Sequence, residues 1–478
     1  MQPNHKKNSD NFDGVGISRR DFVPGVGTTL AAFTILPRHV LGGAGYVAPS
    51  DKLNIAGVGV GAMGGGYLRA CESENIVALA DVDFEFAAKT FARYPKATTY
   101  HDFRVMLEKE KGIDAVIIGT PDHTHAVVAS AAIKLGKHVY CAKPMTRTVY
   151  ESRMVTKAAR EAKVATQMST QSIASETACA AEELIQSGAI GRVREVHVWS
   201  DRPVWPQGMR RPPETPPAPS NLEWDLWIGP AATRPYHEIY HPFNWRGWYD
   251  FGTGALGDMA LHTFHMVFRA LRLTHPTGVS STTTFVFEPA PAGQRDPDWS
   301  RGRRVTFPET FPDSQLITWD FPARGKLPAV RLHWYDGGLK PPRPADLEPG
   351  KSLQPEGSYF VGDKGALLIQ GAGGGGSRGG GPVSGLLPAA KFKGFKPPPK
   401  NIKRTIGHYQ EWIAAAKGGP PANCNFEFAT LINETAQIGV ISARTGKHLL
   451  WDAPNMRFTN DDEANQYINP PYRSGWSI

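Results

Sequence analysis

The sequence predicts an α/β fold, and three observations predict it. Short apolar runs alternate with longer helical patterns from about residue 52 to 171. A turn carrying six glycines in ten positions, "GVGVGAMGGG" (57–66), follows the first apolar run directly. Beyond residue 171, strand-like runs are separated by Pro- and Gly-rich loops. Strands alternating with helices mean a parallel sheet joined by right-handed crossovers. At 478 residues and 41% apolar side chains, the chain can bury one large core or two ordinary ones.

The first 45 residues read as a leader and are set apart from the fold. They are polar and basic up to "SRRDF" (18–22), then weakly apolar through "VPGVGTTLAAFTIL" (23–36). Paired arginines before such a stretch form the twin-arginine (Tat) signal pattern, which predicts a periplasmic or otherwise exported protein. Pro24, Gly25 and Gly27 interrupt the apolar run. It falls short of the roughly 20 residues that a stable membrane anchor needs.

The next element, "LNIA", is a short buried strand, and the glycines are the turn into a helix. Gly59, Gly61 and Gly64 satisfy G-x-G-x-x-G. The first glycine permits the tight bend, the second admits a pyrophosphate to the backbone, and the third lets helix and strand pack closely. The following strand, "NIVALADVD" (75–83), carries Asp81, placed to bond adenosine ribose hydroxyls and to favour NAD over NADP. The alternation continues with strand 114–121, helix 122–136, strand 137–144, helix 148–163 and strand 164–171. Ligands bind at the carboxyl ends of such strands, which places Asp81, Thr120, Pro121 and Lys143 on one rim. The expected boundaries are a leader over 1–45, a dinucleotide-binding domain over 46–171 and a second domain over 172–478. Strands are expected there at 192–200, 281–288, 314–322 and 329–336, with exposed loops at 371–382 and 396–401.

Composition narrows the partners. The net charge of +8 is scattered, with small clusters at "RGRR" (301–304) and over 391–403. No basic stripe interleaved with aromatics argues for nucleic acid. Cys71, Cys141, Cys179 and Cys424 are too far apart for a metal-type pair or a disulfide framework, and no metal site is expected.

"GTPDHTHA" (119–126), "AKP" (142–144) and "GALGDMALHTFHMVFRALRL" (254–273) together resemble the Gfo/Idh/MocA family, the glucose–fructose oxidoreductase and inositol dehydrogenase group. The likeness runs from about residue 52 through "GHYQEW" and "YRSGW", and it is closest to the exported, twin-arginine-bearing branch. It implies a Rossmann domain followed by an α+β domain with a large, mostly antiparallel sheet, and a homo-oligomer, dimer or tetramer. It also implies hydride transfer between NAD, tightly held in an exported protein, and a hydroxyl or ketone of a sugar, cyclitol or glycoside. The residues expected around the cofactor are Gly59, Gly61, Ala62, Met63, Gly64, Asp81, Thr120, Pro121, His125 and Lys143.

Oxidising an alcohol needs a base for its proton. Lys143 beside NAD⁺ would meet a like charge and partial desolvation, both of which lower an ammonium pKa. Asp258 and His262 are spaced i, i+4 on a helical pattern and so share a face; with the resemblance, His262 is the expected acid/base residue and Asp258 its partner. An aromatic-rich stretch from Trp224 to Phe251 suits sugar C–H faces, with His241, Trp245, Arg246 and His265 as candidate substrate contacts. Two departures stand out: Ala142 replaces the family's usual glutamate before Lys-Pro, and His265 stands where an aspartate often follows the catalytic histidine. Two other readings remain open. One is redox-neutral glycoside cleavage by a hydrolase or lyase through a transient keto-sugar, and the other is non-catalytic binding of a sugar or nucleotide.

Overall fold

Six parallel strands build the first sheet: β1 Asn54–Val58, β2 Asn75–Ala80, β3 Thr98–Tyr100, β4 Ala115–Ile118, β5 His138–Cys141 and β6 Thr166–Met168, in the order β3-β2-β1-β4-β5-β6. The computed structural model describes residues 51–289, 302–370 and 385–478. The expected leader (1–45) and the glycine-rich run at 371–382 lie outside the described residues. Helices α1 Met63–Ala70, α2 Phe84–Arg93, α3 Phe103–Lys109, α4 Asp122–Lys134 and α5 Val149–Ala162 connect the strands. β4 is wholly buried, and almost every residue of α4 is buried as well. Such a strand reads as a continuous apolar run because helices cover both faces of a parallel sheet.

Sharp local signals end these elements. Asp83 and Asp102 cap α2 and α3 by accepting backbone N–H bonds, and Thr148 with Glu151 forms a reciprocal capping box on α5.

The second sheet has nine strands: β7 Val193–Trp199, β8 Gly278–Thr283, β11 Gln315–Phe321, β12 Val330–Tyr335, β13 Gly357–Gly362, β14 Gly365–Gln370, β15 Gly385–Leu387, β16 Leu449–Asp452 and β17 Arg457–Phe458. Their order is β15-β14-β13-β7-β12-β11-β8-β16-β17, and only the β7–β12 pair is parallel. The fold is therefore the expected Rossmann domain followed by a large, mostly antiparallel sheet. One expectation fails: the strand predicted over 281–288 is two. Thr284 turns its N–H and its hydroxyl to the Ser314 carbonyl, which ends β8. The chain then enters β9 Val286–Pro289, which pairs with β10 Gly302–Val305 in a separate ribbon.

The inner face of the large sheet packs on helix Leu261–Leu271, where Phe264 meets Trp319 edge to face with ring centroids 5.5 Å apart. Helix Phe426–Thr445 lies against both halves. Its Glu434, fully buried, accepts from Arg153 of α5 at 3.0 Å and from the Trp451 indole at 3.0 Å, and it faces His275. Replacing Glu434 by Ala orphans all three partners. Breaking a buried pair in this way costs about 3 kcal/mol, measurable as a shift of the urea midpoint at constant slope; a shift worth less than about 1 kcal/mol would contradict this assignment.

Candidate active-site cleft

A cleft of about 430 Å³ opens at the carboxyl ends of the first sheet and is walled by both halves of the chain. The glycine turn forms its floor. Gly59 has φ +73°, and a Cβ there would stand 2.6 Å from Thr120. A Cβ on Gly64 would lie 2.0 Å from the Gly59 carbonyl oxygen, so only glycine allows the helix to meet the turn. α1 begins at Met63 behind Ala62, which offers no side-chain cap, and its first N–H groups remain available to an anion.

Gly59, Gly61, Ala62, Met63, Asp81, Thr120, Pro121, Lys143, His241, Trp245 and Arg246 line the cleft together. Asp81 accepts backbone N–H bonds from Val60 (2.7 Å), Gly61 (3.0 Å) and Asp83 (3.0 Å). Burial outweighs these bonds and pushes its carboxyl up to about 6. The Thr120 hydroxyl is buried without a hydrogen-bond partner. A bare turn, an uncapped helix start, a carboxylate at the β2 exit and an orphan hydroxyl fit a dinucleotide.

The opposite wall carries charge. Lys143, just past β5, donates to Asp258 Oδ1, and the Arg246 Nε stands 3.4 Å from the same oxygen. Burial alone would raise the Asp258 carboxyl, but Lys143 and Arg246 hold it well below the usual carboxylate range. Lys143 is thus a paired ammonium, not the lone cation that the sequence suggests. Arg246 is braced by its bond to the Phe243 carbonyl (3.1 Å) and by the faces of Trp245 and Phe243, 4.2 and 4.5 Å from the guanidinium carbon. Asp258 reaches the pair from a π-helical turn, Leu256–Ala260, that precedes helix Leu261–Leu271. Such widened turns recur at functional sites because they re-aim one side chain.

Five expected residues fall outside the lining, Asp258 among them, although it touches Lys143 and Arg246, which do line it. Gly64 lies under the turn. His125 is fully buried, with Nδ1 2.7 Å from the Pro144 carbonyl and Nε2 2.8 Å from the Thr120 carbonyl. It braces two rim loops and does not face the cofactor space, because its ring is held between those two carbonyls. His262 is 5% exposed, its Nδ1 lacks a partner, and burial with the Lys143 charge drives its ring down to about 3. His265 is buried, with Nε2 2.9 Å from the Ser172 hydroxyl. His241 lines the cleft but is tied to Asp83 at 2.8 Å, near the β2 exit, with β1 and β4 between it and the Lys143 strand. Among the aromatics, Tyr240, Trp248 and Phe251 are core, while Trp227, Phe243 and Trp245 face the cleft.

The structure adds residues that the sequence did not single out. Asp122, first residue of α4, accepts from the Thr253 hydroxyl at 2.7 Å, and burial raises its carboxyl to about 7. It lines the cleft one strand over from Ala142. An acid directly after a strand-terminal proline was its only local signal. Tyr67 bonds the Ser169 hydroxyl (3.0 Å), which in turn accepts the Lys143 N–H (2.9 Å). Trp476 joins the wall from the far end of the chain, its ring under the Arg104 guanidinium. Its one sequence signal was its place at the end of "YRSGW".

A glycine turn beneath a charged cleft in a doubly wound sheet is the architecture of a dinucleotide-binding domain. Residues 53–170 match the NAD-binding Rossmann fold of the Gfo/Idh/MocA oxidoreductase family, and residues 184–280 match its C-terminal alpha/beta domain. Both matches are to models of the Gfo/Idh/MocA oxidoreductase family. Levoglucosan dehydrogenase of Pseudarthrobacter phenanthrenivorans is 27% identical over 223 residues, 43% of this chain and 49% of that enzyme. Inositol 2-dehydrogenase 1 of Saccharopolyspora erythraea is 34% identical over 19% of this chain and 28% of its own length. The chain thus spans about half the length of the first relative and less of the second. Its fold is shared with the WlbA dehydrogenase of Bordetella pertussis, solved with NADH and UDP-GlcNAcA (TM-score 0.56, 18% identity, 84% of this chain and 99% of that one). It is shared too with levoglucosan dehydrogenase solved with NADH and L-sorbose (TM-score 0.51, 19% identity, 84% and 98%).

The buried titratable groups set a pH dependence. Burial holds His123, His125, His262 and His408 down to about 3, 4, 3 and 4. Unfolded, each titrates near 6.5, so below about pH 6.5 the unfolded chain takes protons that the folded chain refuses, and stability falls. Asp81, Asp122 and Asp336, raised to about 6, 7 and 7, work the other way between about pH 7 and 4. The histidines outnumber them. The melting temperature should therefore drop between pH 7.5 and 5.0 by circular dichroism, and an equal or higher value at pH 5.0 would contradict neutral burial.

Proposed function

We propose that this chain is an NAD-dependent oxidoreductase acting on a hydroxyl or ketone of a sugar, cyclitol or glycoside. One observation carries the reading: the glycine turn and Asp81 face, across a single cleft, a lysine held by a carboxylate and backed by an arginine. Gly59, Gly61, Ala62 and the start of α1 would hold the pyrophosphate, and Asp81 the adenosine ribose. NAD, when bound, supplies the hydride acceptor or donor at the substrate carbon.

The chain's own residues handle the proton. An ammonium has three donors, and Asp258 takes one from Lys143. The remaining N–H groups can bond a substrate oxygen and protonate it as a carbonyl is reduced. In the oxidative direction the same nitrogen must first release a proton. His262, its ring held at about 3, is too weak a base to store that proton, which leaves through the open cleft to water. Arg246 keeps the Asp258 carboxylate ionised in either direction. Aromatic faces at Trp227, Phe243 and Trp245 suit the C–H face of a ring.

The sequence "SRRDF" supports export through the twin-arginine pathway to the periplasm. It also favours a second reading, in which tightly held NAD returns its hydride within one turnover and the net reaction is glycoside cleavage.

The deciding experiment incubates the purified protein, with its native nucleotide content assayed, with NAD⁺ or NADP⁺ and a panel of sugars, cyclitols and glycosides. Accumulation of NADH supports net oxidation, and free sugar without NADH supports the second reading. Bound nucleotide with neither product overturns both. Lys143→Ala should lower kcat about 10²- to 10⁴-fold with the Kd for NAD within a few-fold. Unchanged turnover would refute its role. Asp81→Ala should narrow the NAD:NADP preference, and an unaltered ratio would count against its contact with the ribose.

A further inference from the structure

The face of the large sheet turned away from the helices carries a cluster that the proposed reaction does not use. Glu195 and His197 are two apart on β7 and so project to the same side. His333 is the direct neighbour of His197 across the β7–β12 pair. The two imidazoles stack with centroids 4.9 Å apart and planes 12° from parallel. Their Nε2 atoms converge on one oxygen: Glu195 Oε1 lies 3.4 Å from His197 Nε2 and 3.1 Å from His333 Nε2.

The other nitrogen of each ring is already engaged. His197 Nδ1 is 3.0 Å from the Tyr335 hydroxyl, and His333 Nδ1 is 2.9 Å from the Thr318 hydroxyl. His333 Nε2 is buried and forms no hydrogen bond of ordinary geometry, although Glu195 Oε1 is 3.1 Å away. The Tyr335 and Thr318 hydroxyls can each accept an N–H from Nδ1, which is the tautomer that leaves both Nε2 lone pairs free.

The spacing suits a cation. Ligand atoms about 2.0–2.1 Å from a tetrahedral ion stand about 3.3 Å from each other, close to the two carboxylate–imidazole separations, and all three ligand atoms lie within 4.8 Å of one another. We propose that Glu195, His197 and His333 form a binding site for a divalent transition-metal cation of the zinc or cobalt type. Imidazole nitrogen and carboxylate oxygen are the donor set such ions accept. Tyr335 and Thr318 act from behind: where each hydroxyl accepts from Nδ1–H, it leaves Nε2 bare. Arg331, the partner of Glu195 in the same ladder, is occupied by Asp320 at 2.9 Å. The Glu195 side chain is 44% exposed, so a fourth position is open to water.

The test uses the full chain without a histidine tag, stripped with chelator and dialysed. Titration with Co²⁺ should give the visible absorption of a four-coordinate ion, saturating at one equivalent and displaced by Zn²⁺. Glu195→Gln alters a half-exposed side chain and should keep the fold, checked by circular dichroism, while weakening Zn²⁺ binding at least tenfold. Thr318→Val, which removes only an outer partner, should weaken it about 10- to 100-fold. No Co²⁺ absorption in the wild type, or binding of equal strength in Glu195→Gln and His333→Asn, would overturn the proposal.

Discussion

One buried carboxylate holds the two halves of this protein in working order. Asp258 comes from the second domain and Lys143 from the first, and their contact closes the cleft wall. A carboxylate taken out of water costs several kcal/mol unless it is paired; Lys143 and Arg246 offset that cost from two directions. The surrounding chain keeps the geometry. Asn433 and Gln437, on helix Phe426–Thr445, hold the loop that follows Lys143 by bonding the Met145 N–H and the Thr146 carbonyl. Movement of that helix would therefore be felt at the lysine.

Environment sorts the carboxylates of the cleft. Asp81 and Asp122 are raised because burial outweighs their hydrogen bonds and, at Asp122, the more distant pull of Arg246 and Lys143, while Asp258 is lowered by the same two cations in contact with it. Groups of one chemistry pushed apart in this way can hold protons and charges at different places in one cavity. With Ala142 small and uncharged, the acid next to Lys143 in space comes from a remote segment and not from its own loop.

What the sequence could say follows from the range of the forces involved. The glycine turn was legible because its requirement is local: no side chain fits between Gly64 and the Gly59 carbonyl. The parallel strands were legible because burial on both faces writes continuous apolar runs. The break at Thr284 was not, since it depends on Ser314, thirty residues away in the chain. His125 looked like a ligand because its neighbours Thr120 and Pro121 line the cleft; its own ring turns inward to their backbone. The i, i+4 spacing of Asp258 and His262 assumes a regular helix, whereas a π-helical turn sends one to Lys143 and leaves the other buried. Trp476 and the Glu195–His197–His333 cluster come together only through tertiary packing, which no spacing rule describes.

All four cysteines are free thiols, and all are buried. Burial pushes Cys71 and Cys424 up to about 12 and raises Cys141 and Cys179 as well. The reactive form of a cysteine is the thiolate, so the native protein gives an oxidant almost nothing to attack. A chain arranged like this is indifferent to the redox poise of its surroundings for as long as it stays folded. Once it opens, the same four sulfurs become its most vulnerable atoms, and misfolded copies would be marked by the crosslinks they form.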